Sequence, residues 1–208
     1  MSVKLAAFTL GALALPLAPA AAEWRLEALT GTAHNFTTPL TLRQTGQPDF
    51  RMDAHYGTRP FTGAPYYSAR VSWWKGSSGW EVQLLHHKLY LDNPSPEVSH
   101  LEISHGYNLV TVNRAWERWG LLLRGGAGFV YTFPETTVRG RKRPVLGYDF
   151  SGFTAAAAVG GRWPRASRVS LSGELRLTFT WADIPVFEGE ADVPNRALHF
   201  LAGLGYRF

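Results

Sequence analysis

From Glu23 onward apolar residues recur at every second position rather than every third or fourth, the period of an extended strand with two unlike faces. Val169, Leu171, Leu175, Leu177, Phe179 and Trp181 fall on one face of such a stretch, and Ser170, Ser172, Glu174, Arg176, Thr178 and Thr180 on the other. The same alternation sets Leu198, Phe200, Ala202, Leu204, Tyr206 and Phe208 against Ala197, His199, Leu201, Gly203, Gly205 and Arg207. Gly, Pro, Asn and Ser punctuate the runs, and no helical period competes. The pattern predicts eight strands: Glu23–His34, Tyr66–Lys75, Trp80–Leu91, Val98–Asn113, Trp119 to about Val138, about Leu146–Trp163, Arg168–Asp183 and Arg196–Phe208. Two shorter extended stretches, Leu40–Gln44 and Phe50–Tyr56, lie in the proline-containing segment Asn35–Pro65. They form either a hairpin above the main sheet or, for the second, the upper half of the second strand.

The connections alternate in length. Those after the first, third, fifth and seventh strands are long: Asn35–Pro65, Asp92–Glu97, Arg139–Val145 and Ile184–Asn195. Those after the second, fourth and sixth are short: Gly76–Gly79, Arg114–Arg118 and Pro164–Ser167. An even number of antiparallel strands with long loops at one end and short turns at the other is the plan of an up-and-down transmembrane β-barrel with a long first extracellular loop. A soluble lipocalin-type barrel would turn the apolar faces inward, and alternation alone fits it equally. Charges and glycines gathered on the non-apolar faces, in strands longer than the roughly 9–11 residues needed to cross a bilayer, favour the membrane form.

The lumen of such a barrel would hold Arg25, Glu27, Arg70, Glu81, Gln83, His87, His100, Glu102, Arg124, Glu174, Arg176, His199 and Arg207. Eight strands leave too narrow an interior for an open pore, so these opposite charges are expected to pair and fill it. Met1–Ala22 reads as a signal peptide, with Lys4, an apolar run over Leu5–Leu17 and Ala20-Ala21-Ala22 as the cleavage site, leaving residues 23–208 as one barrel domain. Cysteine is absent, which removes disulfides and thiolate metal sites. Aromatics make up 13% of the residues, eight of them Trp, in keeping with girdles at two membrane interfaces. The net charge of +5 calls for an acidic partner; export makes nucleic acid a poor one, and lipopolysaccharide phosphate the natural one.

Candidate chemistry rests on histidine. His100, Glu102 and Ser104 stand at alternate positions of the fourth strand, combining base, carboxylate and hydroxyl as hydrolytic triads do. Same-face neighbours are about 7 Å apart along a strand, with the carboxylate between the other two, so a polar luminal row is the competing reading. His87, His100 and Glu102 could instead meet around a divalent metal across the third and fourth strands. His105 falls on the parity of Leu101, Ile103, Tyr107 and Leu109, to face lipid unless a bulge at Gly106 turns it inward. Arg139, Arg141, Lys142 and Arg143 form the densest charge cluster, placed on an extracellular loop, where guanidinium forks suit lipid A phosphates or remain solvated.

The last strand, ending Tyr206-Arg207-Phe208, resembles the C-terminal signal of bacterial outer-membrane barrels, which implies recognition by their assembly machinery. Ala64-Pro-Tyr-Tyr-Ser-Ala-Arg70, Leu101 to Asn113 with its His105-Gly-Tyr-Asn108, Arg124-Gly-Gly-Ala-Gly128 and Glu174–Thr180 together resemble a family of small outer-membrane barrels over nearly the whole mature chain. That family has Pro where this chain has Ala64. Some members are described as lipid A oxidases, which use oxygen to convert the proximal glucosamine to an aminogluconate. The resemblance implies an outer-membrane monomer that acts on or binds lipopolysaccharide, with a metal or other agent needed if it oxidises. A non-enzymatic structural or lipopolysaccharide-binding barrel is the alternative.

Overall fold

The computed structural model describes residues 22–144 and 147–208. The expected signal peptide, apart from Ala22, and the expected start of the sixth strand at Leu146 lie outside them. Among the described residues there are fourteen strands and no helix: β1 Ala22–Phe36, β2 Thr38–Gln44, β3 Phe50–Ala54, β4 Tyr56–Gly57, β5 Tyr67–Lys75, β6 Ser78–Leu91, β7 Val98–Arg118, β8 Leu121–Thr132, β9 Glu135–Val138, β10 Arg141–Lys142, β11 Asp149–Trp163, β12 Val169–Val186, β13 Gly189–Asp192 and β14 Asn195–Arg207. Eight of them close on themselves antiparallel, in the order β1-β5-β6-β7-β8-β11-β12-β14 and back to β1. The closing seam runs from Arg25↔Arg207 to Phe36↔Arg196, so the final strand leaves no exposed edge.

The barrel is turned inside out relative to a soluble one. Leu26, Val71, Val82, Val112, Leu121, Val159, Leu171, Leu175, Phe200 and Leu204 are exposed on its outer wall. Trp24, Trp73, Trp80, Trp116, Trp163 and Phe208 ring the end with the short turns, and Tyr67, Phe129, Tyr131, Phe150, Phe153 and Trp181 ring the other. An apolar band between two aromatic girdles is the surface that a transmembrane barrel presents to lipid.

The short turns follow local chemistry. β7 runs on to Arg118, past the turn expected at Arg114–Arg118, because Trp119 and Gly120 take φ of 51° and 77°. Positive φ at both central residues makes the tight turn whose twist matches the flanking strands. At the other end the long connections carry structure. The two short extended stretches of the first loop become the β2–β3 hairpin, and Tyr56–Gly57 then pairs with the top of β6. β2 adds to β13 and β13 to the upper end of β12, giving a four-stranded sheet β12-β13-β2-β3 beside the barrel mouth.

That sheet changes the expected interior. Leu40, Leu42, Ile184, Val186, Ala191 and Val193 are buried against Leu89, Val98, Leu101, Ile103, Tyr107 and Val138, so the outer end is capped by an apolar core. Each fully buried Leu or Ile in it contributes about 1.5–3 kcal/mol. Leu101 and Ile103 therefore point inward, and His100 and Glu102, expected in the lumen, lie on the outer side of β7.

Candidate functional site

Below the cap the lumen holds two polar layers. Arg70, Arg124 and Arg176 meet Glu27, Glu81 and Glu174, three positive charges against three negative, all buried. Arg70 Nη2 donates to Glu174 Oε2 at 2.7 Å and Nη1 to Glu27 Oε2 at 2.9 Å. Arg124 donates to Glu81 at 2.9 Å and Glu27 at 3.2 Å and lies 2.9 Å from Glu174, while Arg176 Nε reaches Glu174 Oε1 at 2.8 Å. Charges this buried persist only when so paired. The luminal expectation holds for Arg25, Glu27, Arg70, Glu81, Gln83, His87, Arg124, Glu174, Arg176 and His199. Toward the short-turn end, Arg25 packs on the Trp74 ring at 4.1 Å, and the gap beside it measures about 10 Å³, room for one water-sized sphere.

The upper layer is uncharged in its bonding. Tyr66 Oη lies 2.5 Å from His199 Nδ1, and His199 Nε2 is 2.8 Å from Thr178 Oγ1. His87 Nε2 is 2.9 Å from Asn35 Oδ1, to which Asn195 also donates at 3.0 Å. His87 is thus sealed in the lumen, whereas His100 and Glu102 sit outside, 3.9 Å from each other. A barrel wall separates His87 from the pair, so the three do not fit one metal ion. Among the described residues no group of three or more His, Asp or Glu side chains converges as a metal site.

The outer wall above the girdle is chemically richer. β6 and β7 slip out of register between His87↔Tyr107 and Leu89↔Ile103, where Lys88 alone opposes Ser104, His105 and Gly106. This bulge re-aims side chains, as bulges do. His105 turns outward, and Ser104 Oγ lies 3.3 Å from its Nδ1. Glu135 Oε1, from β9, is 3.6 Å from the same nitrogen. Gly106 takes φ 132°, and a Cβ there would stand 2.3 Å from the Asn108 amide nitrogen. The space is needed because Asn108 Oδ1 bonds His86 Nδ1 at 2.8 Å, while Tyr67 stacks on His86 with centroids 4.9 Å apart. Lys88 donates to the carbonyls of Arg59, Thr62 and Ala64, clipping the loop before β5 against the barrel.

Of the expected triad, Ser104 therefore stands beside His105 and Glu135 rather than His100 and Glu102. The hydroxyl was legible in the sequence. Its partners depended on a register slip and on β9, which supplies Glu135 from a distant part of the chain.

In the basic cluster, Arg139 donates to Gln44 Oε1 and the Pro48 carbonyl, and Arg143 pairs with Asp149 at 3.2 Å. Arg141 and Lys142 remain exposed on β10, Arg141 over the Phe187 ring at 4.2 Å.

No family model matches the chain, and no curated protein sequence is similar to it. Solved structures are similar in fold. The outer membrane protein OprG from Pseudomonas aeruginosa superposes with a TM-score of 0.60 at 10% identity, over 91% of this chain and 97% of that one. The outer membrane protein AlkL, solved in lipid bilayers, gives 0.53 at 14% identity, over 100% of this chain and 97% of that one. The chain has the fold of a bacterial outer-membrane β-barrel.

Proposed function

We propose that this protein is an outer-membrane barrel that engages lipopolysaccharide at its outer rim. The observation that carries the reading is a lumen closed at three levels, by the ion-paired layer, the neutral layer and the apolar cap. With the lumen filled at these levels among the described residues, function falls to the outward surface. Arg141 and Lys142 are the members of the basic cluster free to meet phosphate, and Arg139 and Arg143 hold the hairpin that presents them. A guanidinium on an aromatic ring keeps its N–H edge available for an anion.

The test is titration of the refolded barrel with purified lipid A. Arg141→Glu combined with Lys142→Glu should weaken binding roughly tenfold or more, since each charge-assisted contact is worth about 1.5–3 kcal/mol. Unchanged affinity overturns the reading. The oxidative form that the sequence resemblance implies is tested separately, by mass spectrometry of lipid A from aerated cells with and without the protein. A product in which the proximal glucosamine has become aminogluconate supports it, and an unaltered profile removes it.

A further inference from the structure

We infer that Ser104, His105 and Glu135 form an esterase site on the outer wall, acting on an ester-linked acyl chain of an outer-leaflet glycolipid. This deepens the lipopolysaccharide reading and rests on it for its substrate.

The geometry starts from the bulge. It puts a hydroxyl 3.3 Å from an imidazole nitrogen on consecutive residues, and cross-strand pairing with β9 brings a carboxylate 3.6 Å from that nitrogen. Ser104 is buried at 5% exposure, whereas the His105 side chain is 59% exposed, so the base opens outward and the nucleophile is shielded from bulk water. The surroundings fit a lipid. Phe133 lies 5.3 Å from the His105 ring, Tyr148 donates to the His105 carbonyl at 2.7 Å, and Tyr131 and Phe150 continue as exposed rings into the outer girdle. An acyl chain lying along these rings would bring its ester, at the headgroup level, to the dyad.

Nδ1 accepts the serine hydroxyl in the tautomer that carries its hydrogen on Nε2. Ser104 Oγ bonds to the ester carbonyl carbon and passes its proton to Nδ1. The imidazolium so formed lies beside the Glu135 carboxylate, which stabilises it as it develops. Collapse of the tetrahedral intermediate breaks the carbon–oxygen bond to the sugar, and the departing alkoxide takes the proton from Nδ1. Water then gives a proton to Nδ1 and attacks the acyl-serine carbonyl. Oγ leaves with that proton, and a fatty acid is released.

The experiment uses the full mature barrel, refolded in detergent and checked by its heat-modifiable electrophoretic mobility. A fluorophosphonate probe should modify Ser104, identified by peptide mass spectrometry, and lipid A should lose an ester-linked acyl chain. Ser104→Ala should abolish both while still binding lipid A. His105→Asn should slow labelling about 100-fold or more, the usual contribution of a general base, and Glu135→Gln should slow it less. Folded wild-type protein that binds lipid A but neither labels nor deacylates overturns the inference and leaves the binding reading standing. Equal labelling of wild type and His105→Asn overturns it too. A barrel that labels at Ser104 without binding lipid A overturns the substrate assigned here and the lipopolysaccharide reading together.

Discussion

Glu174 is the residue on which the middle of the barrel depends. Its two oxygens are shared among Arg70, Arg124 and Arg176, and it is almost fully buried. Glu174→Gln keeps the shape but leaves three guanidiniums facing the two carboxylates of Glu27 and Glu81. Breaking a buried pair costs about 3–5 kcal/mol, because the abandoned charge stays desolvated. Urea unfolding of the refolded barrel in lipid vesicles should show a loss of that order, and a loss under about 1 kcal/mol would mean that water reaches the layer. Gly106 acts at the same scale by absence: without a Cβ it leaves room for the Asn108 amide that orients His86.

At the level of elements, the outer sheet carries a protonation-sensitive pair. Asp183, on the part of β12 that projects beyond the girdle, lies opposite Asp192 of β13, and Arg43 of β2 clasps Asp192 with bonds of 2.7 and 2.5 Å. The hydrogen bond to Asp192, and then burial, raise Asp183 to about 6. Burial pushes Asp192 up as well, but its bonds to Arg43 and Asp183 outweigh this and hold it below the ordinary value. A raised carboxyl contributes stability that is complete below its unfolded value, near 4, and lost as pH rises through about 6. A lowered one contributes above its unfolded value and loses it as pH falls. The β12–β13 pairing should therefore be firmest near pH 4 and weaken steadily as pH rises from there through about 6. Hydrogen exchange of the β13 amides, corrected for the intrinsic rate, should show protection falling as pH rises through about 6, and Asp183→Asn should remove the step. A flat profile in the wild-type chain would dispose of the shared proton.

For the whole molecule, the ion-paired layer, the neutral layer and the apolar cap are stacked across the lumen among the described residues. In planar bilayers the folded barrel should show no steady ion conductance, and sustained channel openings would contradict the closed interior and, with it, the premise that function is on the outside. The closure is a product of the fold rather than of any one strand: the apolar cap is assembled from β2, β6, β7, β9, β12 and β13, elements far apart in the chain.

The chain's own pattern determined the barrel. Period-two alternation, eight runs and loops of alternating length correspond to the strands observed, because which face meets lipid is written locally, residue by residue. The same logic identified ten luminal polar residues from Arg25 to His199, since within the membrane a charged side chain has one low-energy side to face. It failed for His100 and Glu102, and the reason is physical. Beyond the bilayer the outward face meets water and the inward face an apolar cap, so strand parity no longer carries the same meaning. At the β6–β7 register slip opposite Lys88 the alternation lapses over Ser104 to Gly106, leaving Ser104 buried and His105 exposed, while Ile103 and Tyr107 on either side both face inward. Which histidine stands beside Ser104, and which carboxylate joins it, followed from that slip and from β9 docking on β7. Cross-strand register is fixed by long-range pairing, and only the tertiary structure decides it.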